Sequence, residues 1–386
     1  MRRPPRCNLM RIDVLCYNLS NNAFGRAYLL ADLLRRSGHQ TRIVGLRLGP
    51  TVWGPLADCD IETVPVPSGA KYPDVLGSMG RLLRVLDCDV ALASKPRVSS
   101  FGAALLKRMA PGSGLKILLD IDDWEAGQDL PVTRGKFLRR LPEAINIDSF
   151  YDPLALGKLT RRADGITVST TFLQKMYGGR LLPHVRDTDF LYPAKYDRDG
   201  LRGALGLTDE FVIAFLGSIR RHKGIELLLT MLPRLEPMKA RLLLLGTQNV
   251  DPAIRDIMNR HTRYIIEQPE IPYRDLPKFH AVSDLVVLPQ MDTPFGRAQL
   301  PMKLLDAMAM ARPIISTNVS DIPMILEGCG VILESYDEDE LVEKIVSLQG
   351  DPGLRKRLGE AARRRCMERY SYRQGMDILD GALKGL

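Results

Sequence analysis

Phe211-Val-Ile-Ala-Phe-Leu-Gly217-Ser-Ile-Arg-Arg-His-Lys223-Gly224 is the stretch on which the reading of this chain turns. An unbroken apolar run implies a strand buried on both faces, as in a parallel sheet. A glycine ends the run, basic side chains fill the turn, and the apolar helix Ile225–Leu235 follows. Free N–H groups at a helix start attract phosphate, and lysine or arginine beside them neutralises developing negative charge. Lys223 and Arg220 are therefore catalytic candidates, with Gly217 and Ser218 beside them as ligand contacts. A solvated basic loop accounts for the same composition.

Outward from this stretch, apolar runs alternate with amphipathic helices. Before it, Met10–Tyr17, Gln40–Val44, Asp89–Ala93, Leu115–Ile121 and Gly165–Ser169 read as strands, with helices such as Phe24–Ser37 and Val98–Met109 between them. After it come Arg241–Gly246, Tyr264–Glu267, Asp284–Pro289, Pro313–Thr317 and Val331–Glu334. Such alternation gives parallel α/β sheets covered on both faces. Two series exceed one sheet, so the expectation is two Rossmann-like domains, residues 1–190 and 191–370, facing a central cleft. The helix 371–386, which lacks a local partner, is expected to pack back on the first domain.

The second informative stretch is Asp292-Thr-Pro-Phe-Gly-Arg-Ala-Gln-Leu-Pro-Met-Lys-Leu-Leu-Asp306. Lys303 falls in the first turn of a helix, and Asp306, three residues on, shares its face. Such a helix start suits a diphosphate, and Asp306 suits a ribose. A surface ion pair is the competing reading.

Together these segments resemble the C-terminal domain of the retaining GT-B glycosyltransferases of family 4, the glycosyl transferases group 1. The resemblance runs over Phe211–Leu333, through Gly217, Lys223-Gly224, Ser283-Asp-Leu-Val-Val-Leu-Pro289, Phe295-Gly296, Leu305-Asp-Ala-Met-Ala309, Pro313-Ile-Ile-Ser-Thr317 and Ser320-Asp-Ile-Pro323. It implies a GT-B fold and transfer of a sugar from a nucleotide-sugar donor to a hydroxyl, with retained anomeric configuration. The sequence departs from the family's Glu-x7-Glu pair. Asp306 replaces the second glutamate, and Ala298 stands eight residues upstream. Gln299, the backbone amides of Ala298–Leu300 or Lys303 are the candidates to replace the lost donor contact. Ser218 occupies the place of a usual arginine, which Arg220 or Arg221 can supply. Met324 stands in place of a glutamate.

In the first half, Leu118-Leu-Asp-Ile-Asp-Asp-Trp-Glu125 brings carboxylates and an indole to a strand end. Parallel-sheet rules aim that end at the ligand side. Asp122 is taken as a catalytic candidate, and Asp123 and Trp124 as acceptor contacts, standing where family members often carry a histidine. Asp120 and Asp123 read alternatively as caps of the next turn. Asn21, Asn22 and Gly25 resemble the family's acceptor loop, and an asparagine helix cap explains them as well.

The 386 residues are 45% apolar and 26% charged, which excludes a disordered chain or a fibre. A net charge of +8 favours anionic partners. Six scattered cysteines without metal spacing read as buried, reduced thiols of a cytoplasmic protein. Recurrent Asp-x-Asp pairs (among them Asp58/Asp60, Asp87/Asp89, Asp120/Asp122 and Asp187/Asp189) and five scattered histidines single out no ligand set, so neither a metal nor another cofactor is expected. The basic segments Arg134–Arg140 and Leu354–Arg369 suit peripheral contact with an acidic inner membrane face. Basic residues lack the interleaved aromatics of a nucleic-acid groove. A nucleotide-sugar 2-epimerase using Asp122, Asp123 and Glu125, and a degenerate non-catalytic binding subunit, are the alternative functions.

Overall fold

Apolar runs with no polar alternation become central strands of two parallel sheets, because only burial on both faces suits them. The computed structural model describes residues 9–124, 127, 145–147, 149 and 151–386. Glu125 and the segment Arg134–Arg140 fall outside the described residues. The chain divides into two compact units. One runs to Pro183 and includes Gly375–Leu386; the other is His184–Gln374.

In the first unit the strands are β1 Arg11–Cys16, β2 Gln40–Arg47, β3 Thr63–Pro67, β4 Val90–Ser94, β5 Lys116–Ile121, β6 Gly165–Val168 and β7 Arg180–Leu181. Their order is β3-β2-β1-β4-β5-β6-β7, every pair parallel. Strand β3, Thr-Val-Pro-Val-Pro, goes unseen in the sequence because two prolines argue against a strand. It is an edge strand, where a missing N–H costs no ladder bond. Chain order reverses direction across the sheet between β1 and β4, and ligands of open α/β sheets gather at such a switch point, outside the carboxyl ends.

The second unit holds β8 Phe211–Phe215, β9 Ala240–Leu245, β10 Ile265–Gln268, β11 Leu285–Leu288, β12 Ile314–Thr317 and β13 Val331–Leu333. The order is β10-β9-β8-β11-β12-β13, again all parallel. Its switch point lies between β8 and β11, the two strands followed by the two stretches quoted above. A continuous apolar core joins the sheet to helices such as Met302–Ala309 and Glu338–Gly350.

The boundary between units falls at Pro183/His184 rather than at 190/191. Arg186 explains this: its N–H donates to the Tyr370 carbonyl (2.8 Å), and its carbonyl accepts from Tyr372 (3.0 Å), tying it to the second unit. The return comes at Gln374/Gly375, inside the helix Tyr372–Leu383. Helix Pro352–Arg369 is less a free basic face than its sequence suggests. Arg355 donates to Leu348 and Gln349 carbonyls, Arg363 to those of Leu191 and Thr188, and Arg365 to those of Ile325 and Glu327. Cys16, Cys329 and Cys366 are buried free thiols, whereas Cys59 and Cys88, expected inside, are partly exposed.

Candidate active site

Two backbone constraints shape the loop after β8. Gly224 has φ +75°, and a Cβ there would lie 1.8 Å from the Pro289 carbonyl oxygen, so only glycine lets this loop close on the end of β11. Gly217 has φ +110°, and its missing side chain faces Lys303, whose Nζ would stand 3.7 Å from a Cβ. The loops after β8 and β11 are joined by Met291 N–H to the His222 carbonyl (2.9 Å) and by an edge-on contact of His222 with Phe295 (5.1 Å between centroids).

Lys303 rises from the start of helix Met302–Ala309. Its ammonium is buried 3.5 Å above the centre of the Phe215 ring, and no hydrogen-bond acceptor reaches it. Burial, reinforced by repulsion from Lys223, pushes its pKa well below the usual lysine range, while Asp306 opposes the shift. Lys223 turns back over its own loop, its Nζ donating to Ser218 Oγ (2.7 Å) and the Ser218 carbonyl (3.3 Å). Gly217, Ser218, Lys223 and Lys303 thus form one cluster. The arrangement concentrates positive charge at the switch point, where an anion gains most from it.

Other expected members make further contacts. The Arg220 guanidinium donates to the Asn249 carbonyl (3.2 Å). The Leu300 side chain lies in the core, which leaves its backbone amide as the expected contact. Gln299 sits at the end of helix Pro294–Ala298, its carbonyl accepting from Gln290 Nε2 (3.3 Å). Asp306 is 5% exposed, and both its oxygens are bonded to the Arg186 guanidinium, which also donates to the Met302 carbonyl (3.1 Å). The ribose role expected of Asp306 therefore meets a carboxylate already bonded inside the protein. Beside it, His280 is wholly buried, and burial lowers its pKa to about 4.

The switch point of the first unit carries a different chemistry. Asp122, directly after β5, is 5% exposed. Burial, with a contribution from Asp123, raises its pKa to about 7 against the pull of Lys95. Lys95 follows β4 and bridges the two acids, with Nζ 2.9 Å from Asp123 and 3.3 Å from Asp122. Its backbone is left-handed at φ +73°, a cost for a residue with a Cβ. That conformation is held by Lys95 N–H to the Asp120 carbonyl (2.8 Å) and by Ser100 Oγ to the Lys95 carbonyl (2.6 Å). Arg97 lies over the Tyr17 ring (4.9 Å). Sequence reading missed Lys95 and Arg97. Lys-Pro-Arg immediately after an apolar strand was the available signal, and it reads locally as a surface turn.

Asp120 is neither a cap nor a ligand. Arg26 meets it with two bonds of 2.8 Å, and Thr167 adds a third at 2.7 Å. This buried pair fixes helix Ala23–Arg36 against the end of β5, and with it the preceding loop. Within that loop Asn21 accepts from Ala23 N–H (3.0 Å) and donates to the Tyr17 hydroxyl (3.2 Å). Asn22 is exposed, and its side chain makes no cap bond. Gly25 is a helical residue facing Trp53 rather than part of a glycine loop. Trp124 packs against Phe172, 5.9 Å between centroids. Among the described residues no three His, Cys, Asp or Glu side chains group as metal ligands, and no helix is long and apolar enough to cross a membrane.

Comparison with known proteins agrees with this geometry. Residues 210–351 match the family described as glycosyl transferases group 1. The alpha-maltose-1-phosphate synthase of Mycolicibacterium smegmatis is 27% identical over 203 residues, covering 48% of this chain and 51% of that protein. The chain thus spans about half the length of the curated relatives it matches. Solved structures match nearly throughout. Sucrose-phosphate synthase from Thermosynechococcus elongatus superposes with a TM-score of 0.73 at 16% identity, over 97% of this chain and 98% of that one. Anabaena HepE in complex with UDP-glucose also gives 0.73 at 16% identity, over 98% of this chain and 100% of that one. Residues 210–351 are thus similar to the glycosyl transferases group 1 family, and the two parallel sheets are those of the GT-B fold.

Proposed function

We propose that this protein is a glycosyltransferase that moves a sugar from a UDP- or GDP-linked donor to a hydroxyl group with retention of anomeric configuration. The observation that carries the reading is the buried Lys303 ammonium, without a hydrogen-bond acceptor, beside Lys223 and Gly217. A cation held in that state is a waiting partner for an anion, and a donor's diphosphate is the anion this family handles. In the reaction the bond from the sugar's anomeric carbon to the phosphate oxygen breaks, its electron pair leaving with the nucleotide diphosphate. The acceptor oxygen bonds to that carbon on the same face, and its proton passes to the departing phosphate. Lys223 and Lys303 neutralise the charge that grows on the leaving group, so the proposal includes neither a metal ion nor a protein nucleophile. It also places the protein in the cytoplasm, with exposed Lys356, Arg357, Arg364 and Arg369 available to an acidic membrane face.

Lys223→Ala tests this reading. Loss of one charge-stabilising donor lowers turnover by about a hundredfold, while nucleotide affinity falls far less. Turnover is read as release of free UDP or GDP from UDP-glucose or GDP-mannose, and affinity by titration of the same preparation. Wild-type turnover in the variant would refute the assignment, and an epimerised nucleotide sugar as product would replace transfer by epimerisation.

A further inference from the structure

A second polar feature lies in the first unit, away from Asp122. At the carboxyl ends of β2 and β3 the surface forms an open cavity of about 590 Å³, within the ~300–1,000 Å³ usual for small-molecule sites. Arg47, the last residue of β2, and Arg81, on helix Asp74–Val85, both line it. Neither guanidinium has a carboxylate partner among the described residues. Arg81 donates one nitrogen to the Pro67 carbonyl and Ser78 Oγ (both 2.8 Å), and Arg47 uses one on the Pro50 carbonyl. These bonds to neutral oxygens orient both forks and leave their charge uncompensated. Asp74, the acid of the lining, belongs to the first turn of its helix, where the helix dipole favours a negative charge. Gly49 and Gly69 add backbone without side chains, and Ser68 adds a hydroxyl.

The cavity is joined to the loop after β1. Ser20 Oγ accepts from Gly49 N–H (2.9 Å) and donates to the Thr51 carbonyl (2.7 Å), while its own N–H donates to Asn18 (2.9 Å). It therefore shares the carboxyl-end face of the sheet with Asn21 and Asn22. We infer that this cavity holds the phosphate of a phosphorylated, hydroxyl-bearing acceptor, Arg47 and Arg81 gripping the anion. Paired guanidinium forks match phosphate oxygens, and the backbone and Ser68 suit sugar hydroxyls. The word acceptor rests on the transferase reading; the binding does not.

The test titrates the full chain with glucose 6-phosphate and myo-inositol 1-phosphate, against glucose and inorganic phosphate, with UDP and GDP in parallel. Both phosphorylated probes should bind at least tenfold more tightly than glucose or inorganic phosphate. Arg47→Gln and Arg81→Gln should each weaken them about tenfold or more, with partial recovery in Arg47→Lys and Arg81→Lys and unchanged nucleotide affinity. Vesicles of phosphatidylinositol, compared with phosphatidylcholine, distinguish a lipid-borne phosphate from a free sugar phosphate, and Arg47-dependent binding of either supports the site. Equal binding of glucose and glucose 6-phosphate, or wild-type binding by the glutamine variants, overturns it. Nucleotide binding without any phosphate-probe binding sinks the cavity alone. Probe binding without nucleotide binding sinks the transferase reading alone.

Discussion

Lys303→Met should make the free protein more stable and the nucleotide complex weaker. Methionine keeps the unbranched apolar stem against Phe215 and removes only the charge. In the free protein the ammonium lies over an aromatic face with no oxygen acceptor and with Lys223 as a like-charged neighbour. A buried polar group left unsatisfied costs about 1–3 kcal/mol, more if charged. Its removal should raise the melting temperature by ~2–4 °C per kcal/mol for a unit of this size. A charge-assisted bond to a diphosphate is worth about 1.5–3 kcal/mol, so UDP or GDP affinity should fall roughly 10- to 150-fold. The two effects cross. At a nucleotide concentration a thousandfold above its own dissociation constant, the wild type gains about 4 kcal/mol from the ligand. A variant with hundredfold weaker affinity gains only about 1.4 kcal/mol there, and its advantage disappears.

Protons give an independent reading of the same residue. Lys303 has a native pKa below its ordinary value of 10.5, so between the two the unfolded chain holds a proton that the native chain lacks. Stability of the free wild type therefore climbs with pH across that window, and the methionine variant loses the climb. Within that window a bound diphosphate restores the charge, so binding there takes up protons and tightens as pH falls. Melting curves and titration calorimetry in buffers of different ionisation enthalpy read all of this. A variant that is less stable when free, binds nucleotide like the wild type and shows no change in proton uptake would refute the reasoning.

Two further outcomes follow from the buried charges. Asp306→Ala leaves the Arg186 guanidinium buried without its carboxylate, which should cost about 3–5 kcal/mol in denaturant unfolding; unaltered stability with lost nucleotide affinity would restore the ribose role. Asp122 holds its proton up to about pH 7 in the native state, against 3.8 ordinarily. Its contribution to stability is thus complete below about pH 3.8 and lost as pH rises through 7. Asp122→Asn should be spared that loss and melt higher than the wild type at pH 8, and parallel pH–melting profiles would contradict this.

What the sequence discloses is what neighbouring residues decide. The strand, glycine, basic turn and helix from Phe211 onward are local, and the structure places Gly217, Ser218 and Lys223 together through contacts within that one loop. Lys303 joins them from a separate stretch, legible because a helix start at a strand's carboxyl end has few places to go. What spacing does not disclose is non-local. Arg26 meets Asp120 across 94 residues, and Arg186 meets Asp306 across 120, so no spacing rule links either pair. Arg220 reads as a phosphate ligand because its turn is basic; the structure adds a bond from its guanidinium to the Asn249 carbonyl, after β9. Lys95 was invisible because its meaning lies in Asp122 and Asp123, on the loop after the neighbouring strand.

The two switch points therefore differ in charge balance rather than in strand order. The first sheet repeats the strand order of the second and adds a seventh strand, and each has a lysine near its switch point. Lys95 arrives between two aspartates, one of them with its pKa raised to about 7 by burial. Such a compensated cluster has donors and acceptors to offer but little net field, which suits hydroxyl groups. Lys303 arrives with no acceptor and with a second lysine beside it. Its field is unspent, and an anion of more than one charge gains most from it. Exchanging these environments would exchange the preferences. A carboxylate brought to the β8 switch point, as in Ser218→Asp, should occupy Lys223 and Lys303 from within, raise the stability of the free protein and abolish nucleotide binding. If Ser218→Asp binds UDP and GDP as tightly as the wild type, uncompensated charge is not what selects the nucleotide.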